Sequence, residues 1–169
     1  KPEVFFIALS QLIKSNPDII IQLRLVGSVA AGLRATIEQH GLSGHVEMIG
    51  HVSHHKAVNY MCDSSLLLLL IPATNNAEGI LTGKIFEYLG AGIPVLGIGP
   101  KNGAAAAVLM ECNAGVMFER DNPKVVGEFL ERQLLQWKNN SDLRHHADVS
   151  KYERSAQAKQ LSVILEQLK

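Results

Sequence analysis

Thr82-Gly83-Lys84-Ile85-Phe86-Glu87-Tyr88-Leu89-Gly90-Ala91-Gly92-Ile93-Pro94-Val95-Leu96 is the stretch that decides how the rest of this chain reads. A Thr-Gly turn opens a helical run that carries one acidic side chain, Glu87, about a turn and a half in. The run closes at Gly92-Ile93-Pro94 and passes straight into an apolar strand, Val95 to Ile98. The first turn of a helix has unpaired N–H groups and the positive end of the dipole, a setting suited to a pyrophosphate. A carboxylate further along accepts hydrogen bonds, and vicinal sugar hydroxyls are natural donors to it. Phosphate at the helix start and ribose at the acid is the arrangement a nucleotide needs. The competing reading is an ordinary helix start with Thr82 as its cap.

On either side, helical and strand patterns alternate with short connections. Glu3 to Lys14 has apolar residues at helical spacing, and Ile19 to Val26 reads as a strand stopped by Gly27. Ala30 to His40 reads as a helix, Val46 to Ile49 as a short strand, and Ser53 as the N-cap of a helix running to Cys62. Leu66 to Ile71 is a strand followed by a polar loop, Ala73 to Leu81. After Val95 to Ile98 come a helix at Ala104 to Glu111, a strand at Gly115 to Phe118, and helices at Pro123 to Lys138, Ser141 to Val149 and Tyr152 to Leu168. Apolar strands separated by helices predict a parallel sheet covered on both faces, a Rossmann-like doubly wound α/β domain over residues 1–169. Ligands of such sheets sit at the carboxyl ends of the strands, where Gly50-His51, Pro72 to Leu81 and Gly97 to Asn102 would open.

Composition excludes several classes. Hydrophobic residues make up 47% and charged residues 19%, with 16 basic against 16 acidic, as expected of a soluble domain without a basic face. Nucleic acid is therefore not an expected partner. The longest apolar block, Leu66 to Ile71, is too short for a membrane span, and no secretory leader pattern opens the sequence. Cys62 and Cys112 lack metal-ligand spacing, and a reduced, cytoplasmic setting is the simplest expectation. His145 and His146 are adjacent and point different ways on a helix, so no metal site is expected.

The Thr82–Leu96 segment resembles the donor-binding helix of the retaining glycosyltransferases of family 4, which have the GT-B fold. Other pieces follow in the family's order: Leu25-Val26-Gly27, His45 to Val52, Asp63 to Pro72, Gly103-Ala104-Ala105-Ala106 and Asn113-Ala114-Gly115-Val116. The order makes the resemblance specific, and it covers roughly Pro2 to Pro123. It implies the donor half of an enzyme that moves a sugar from a UDP-, GDP- or ADP-linked donor to an acceptor hydroxyl, with retention and with no cofactor. Bacterial surface polysaccharide is a common destination in the family. The strand and basic loop that precede the first helix in the family, with their Arg and Lys, have no match here. The same holds for the N-terminal acceptor domain, the one part through which peripheral membrane association is expected. The expectation is a donor domain that starts slightly late and is inactive alone.

By the same resemblance, the amides of Thr82, Gly83 and Lys84 would cradle the diphosphate, and Glu87 would bind the ribose hydroxyls. Gly50, His51 and Val52 would meet the base, although His51 reads equally well as a plain loop histidine. Lys84 either pairs with Glu87 along the helix or faces the phosphates as a point charge. Family members often carry two glutamates separated by seven residues, the first of them binding the donor sugar. Glu78 and Glu87 are separated by eight, so Glu78 is either that residue in a longer loop or a simple loop acid. No catalytic base emerges from the sequence. Gly27 to Gly32, Gly97 to Gly103 and Gly79 to Lys84 all miss the spacing of dinucleotide or P-loop fingerprints. The alternatives are a GT-B epimerase or hydrolase and a non-catalytic nucleotide-binding module. A receiver-like signalling domain would need acids at the strand ends, which here are Gly27, Gly50, Pro72 and Gly99.

Overall fold

The computed structural model describes residues 2–139, 144 and 149–167. Helix α1 (Glu3–Ser15) buries Val4, Phe5, Ala8, Leu9 and Leu12, a single apolar stripe at helical spacing. Strand β1 covers Leu23–Val26, shorter than the expected Ile19–Val26. The ladder begins where Leu23 meets Val46, and Ile20, ahead of it, is 95% exposed. Apolar character alone makes no strand without a neighbour to pair with. Helix α2 (Leu33–Gln39) also starts later than Ala30, because Gly32 at its N-cap takes a left-handed φ of 81°. Strand β2 (Val46–Gly50) and helix α3 (His54–Cys62) follow, with Ser53 Oγ accepting the Lys56 amide as expected.

Strand β3 (Leu67–Leu70), helix α4 (Gly83–Ala91), strand β4 (Val95–Ile98), helix α5 (Ala104–Glu111), strand β5 (Gly115–Phe118) and helix α6 (Pro123–Lys138) complete the body. Helix α4 stops at Gly92, whose φ of 68° suits glycine, and Pro94 then leads into β4. The last helix, α7 (Arg154–Gln167), starts after Tyr152, since Ser150–Tyr152 forms a 3-10 turn instead. The helix expected over Ser141 to Val149 lies outside the described residues, apart from Arg144 and Val149. His145, His146 and Leu168 lie outside them as well.

Among the described residues the strand pairs are parallel and form two sheets where the sequence pattern suggested one: β1 beside β2, and β4 between β3 and β5. Alternation along the three-stranded sheet sorts its side chains into two cores. Leu68, Leu96, Ile98 and Phe118 join α1 and α6, together with Leu23, Leu25, Val46 and Met48 from the other sheet. Leu67, Leu69, Val95 and Met117 join Ile85 and Leu89 of α4 and Ala105 and Leu109 of α5. Helices thus cover both faces, and the fold is a Rossmann-like α/β domain. Because β3, β4 and β5 are parallel, the loops leaving them emerge at one carboxyl edge.

Candidate functional site

The start of α4 stands at that edge. Thr82 is its N-cap residue, with extended backbone (φ −84°, ψ 147°), and its carbonyl accepts the Ile85 amide at 3.2 Å. Its side chain makes no capping bond. Thr82 Oγ1 is shielded from solvent and has no hydrogen-bond partner. The amides of Gly83 and Lys84 likewise have no acceptor among the described residues. The ordinary-cap reading of Thr82 therefore fails, and three polar groups at one helix start are left unsatisfied. Buried polar groups are nearly always paired, so the Thr82 hydroxyl is the one of the three that calls for a partner, whereas the Gly83 and Lys84 amides belong to exposed residues open to water. No Cβ projects from Gly83, and space is open where one would stand.

Glu87 and Lys84 are both exposed on the outward side of α4, while Ile85 and Leu89 are buried beneath. No ion pair joins Lys84 to Glu87 among the described residues, so both charges face outward uncommitted. Beside Glu87, Tyr88 turns inward and its hydroxyl donates to the Leu68 carbonyl at 3.3 Å, tying α4 to β3. Burial first, and then the charge of Glu87, raise the Tyr88 phenol above its ordinary range.

Glu78 lies in a 3-10 turn, Ala77–Gly79, with its side chain exposed. Its backbone packs against the start of α5, where a Cβ on Gly103 would lie 3.0 Å from the Glu78 carbonyl oxygen. Gly50 ends β2 with a φ of 73°, and its carbonyl accepts the Gly27 amide at 2.6 Å. His51 is exposed and Val52 half-buried ahead of α3, which packs on α4. Among the described residues no hydrogen bond joins Gly50, His51 or Val52 to the Thr82–Glu87 segment; the packed pair α3 and α4 is what relates the two groups.

Two residues that the sequence reading passed over also sit at the strand ends. The Arg120 guanidinium donates to the Ile71 carbonyl, and Glu119 Oε1 accepts the Lys101 amide at 2.9 Å. A charged pair just past an apolar strand was the available signal, but nothing local pairs Arg120 with a residue so far back in the chain. Surface clefts occur between α1 and α6, lined by Leu12 and Lys124, and between α1 and the end of α2, lined by Lys14 and Glu38. Neither is lined by a residue of the α4 cluster. Among the described residues no His, Cys, Asp and Glu group could hold a metal, and no helix is long and apolar enough to cross a membrane.

No protein-family model and no curated protein matches the chain. Among solved structures, the crystal structure of HepE from Anabaena in complex with UDP matches with a TM-score of 0.69 at 18% identity. The match covers 98% of this chain. That likeness establishes the fold. The chain spans 44% of the HepE chain, so the resemblance is to less than half of that protein.

Proposed function

We propose that this chain is the donor-binding domain of a family 4 glycosyltransferase, which moves a sugar from a nucleoside diphosphate sugar to an acceptor hydroxyl with retention. The observation that carries the reading is the unsatisfied start of α4. The Gly83 and Lys84 amides and the Thr82 hydroxyl lack partners, and exposed Glu87 follows about one turn later. A diphosphate would accept from the two amides, and a turn about the Thr82 side-chain torsion would add its hydroxyl. The exposed Lys84 ammonium would add a point charge. As the glycosidic bond breaks, negative charge grows on the leaving diphosphate, and amides and a helix dipole already aimed there stabilise it without reorganising. Glu87 would take the ribose hydroxyls, His51 and Val52 the base, and Glu78 the donor sugar. UDP in the HepE crystal makes uracil the first base to test. An N-terminal acceptor domain would supply the other wall of the cleft, in the cytoplasm, with surface polysaccharide as the product class.

One feature favours a second reading, a nucleotide-binding module without transfer: among the described residues the side chain of Glu78 has no hydrogen-bond partner, and its backbone is what approaches Gly103. Calorimetric titration with UDP, GDP and ADP tests the main reading, repeated on Glu87→Ala. One nucleotide should bind, and the variant should bind it about ten- to hundredfold more weakly, the loss expected for hydrogen bonds to a charged acceptor. Equal affinity in the variant would remove Glu87 from the site. Nucleotide-sugar binding with no transfer to any acceptor hydroxyl would favour the second reading.

A further inference from the structure

We propose that Arg120 is a positioning residue for the loop that carries the donor site, replacing a ladder hydrogen bond that Pro100 cannot make. The proposal rests on the donor-binding reading above. In the β3–β4 ladder, Leu70 is opposite Ile98, so Ile71 would be opposite Gly99. The Ile71 amide gives its hydrogen bond to the Ile98 carbonyl at 3.0 Å, as a parallel ladder requires. The same pattern would satisfy the Ile71 carbonyl from the amide of residue 100. That residue is Pro100, which has no N–H. The neighbouring Gly99 amide is already committed to the Phe118 carbonyl at 2.9 Å. Ile71 is 2% exposed, so water is a poor substitute.

Arg120 solves this from the next strand but one. It leaves the end of β5, passes the end of β4 and donates to the Ile71 carbonyl. Its neighbour Glu119 turns to the other side of the proline and accepts the Lys101 amide. One dipeptide therefore secures both segments at the point where the ladder stops: the start of the loop to α4, and the turn to α5. The second hold on the α4 loop is the close approach of Glu78 to Gly103. Between these two holds the described loop residues make local turn bonds, such as Ala77 to Thr74 and Gly79 to Asn76, and Ala77 packs with Ile80 on the α4–α5 core. Arg120 thus sets where the loop leaves β3, and with it the approach of Glu78 to the sheet, while α4 itself is held by Ile85, Leu89 and Tyr88.

The test measures amide exchange across residues 72–84 and UDP affinity in wild type, Arg120→Met, Arg120→Lys and the double variant Pro100→Ala/Arg120→Met. Arg120→Met should speed exchange in that segment and weaken UDP binding about tenfold, the scale of one charge-assisted hydrogen bond, while exchange in β4 and α5 stays unchanged. Arg120→Lys, which keeps one donor, should recover part of the affinity. The double variant restores a backbone N–H at position 100 and should recover affinity without any cation, which separates positioning from direct contact with phosphate. UDP binding by wild type and Arg120→Met with equal affinity, or unchanged loop exchange, would overturn the proposal alone. No UDP binding by wild type would overturn the donor reading, and the proposal with it.

Discussion

At the scale of single residues, glycines separate into those the packing requires and those it merely tolerates. A Cβ on Gly115 would sit 2.0 Å from the Val95 carbonyl oxygen, inside the β4–β5 ladder, where backbone has no room to retreat. Gly127, in the interior of α6, has nothing within 4 Å of the same point. Gly115→Ala is therefore expected to cost about 3 kcal/mol through overpacking. Gly127→Ala should gain about 0.5–1 kcal/mol by removing unfolded-chain freedom from a helix interior. Urea midpoints of the two variants should move in opposite directions; a shift of the same sign would contradict the packing described. Gly103 lies between the two, because a Cβ there would sit tightly against the Glu78 backbone at 3.0 Å without overlapping it.

At the scale of elements, α4 is the piece on which structure and chemistry meet. Its inner face, Ile85 and Leu89, is buried with α5, and its outer face carries Lys84 and Glu87. Tyr88 fixes its rotation by donating to Leu68 of β3. Since the folded state raises the Tyr88 phenol, the folded chain keeps a proton that the unfolded chain loses above about pH 10. That contribution is fully present below the unfolded value and is lost as pH rises through the folded one. Stability measured from about pH 8 to about pH 11 should fall at the alkaline end, and Tyr88→Phe should flatten the fall. The variant's own cost at neutral pH should stay near or below about 1 kcal/mol, the worth of one neutral hydrogen bond. Parallel profiles for wild type and variant would remove Tyr88 from the alkaline loss.

At the scale of the whole molecule, α7 is joined to the body at its start. Tyr152 stacks beside Phe86 of α4, with ring centroids 5.7 Å apart, and its hydroxyl donates to Glu111 of α5 at 2.7 Å. Lys151 pairs with the same carboxylate. Beyond that tie, Leu161, Val163, Ile164 and Leu165 are exposed, and the helix buries no side chain. Tyr152→Ala should accelerate tryptic cleavage at Lys151 or Arg154 by about fivefold, matching the loss of one local hydrogen bond. The thermal midpoint should fall only slightly, because Tyr152 packs on the margin of the α4–α5 core and its buried members stay in place. An unchanged cleavage rate would show that Tyr152 does not hold α7.

Most element types were legible because the periodicities of the chain are clear: the stripe in α1, the apolar runs of β3 and β4, Ser53 before α3, and Gly92 after α4. The helix that starts at Thr82 and exposes Glu87 was legible in the same way, since capping pattern and amphipathic phase are local properties. Boundaries set by partners were not. Ile19 to Gln22 look like strand but join no ladder, and the five strands among the described residues divide into two sheets by long-range pairing alone. The unpartnered Thr82 hydroxyl, the Glu78 turn against Gly103 and the reach of Arg120 to Ile71 also needed the folded chain. The sequence by itself determined which segments are helix or strand and which face of each is apolar, because those follow from neighbours a few residues apart. Only the tertiary structure decided which polar groups are left without partners, because that depends on what distant segments bring to the same edge of the sheet.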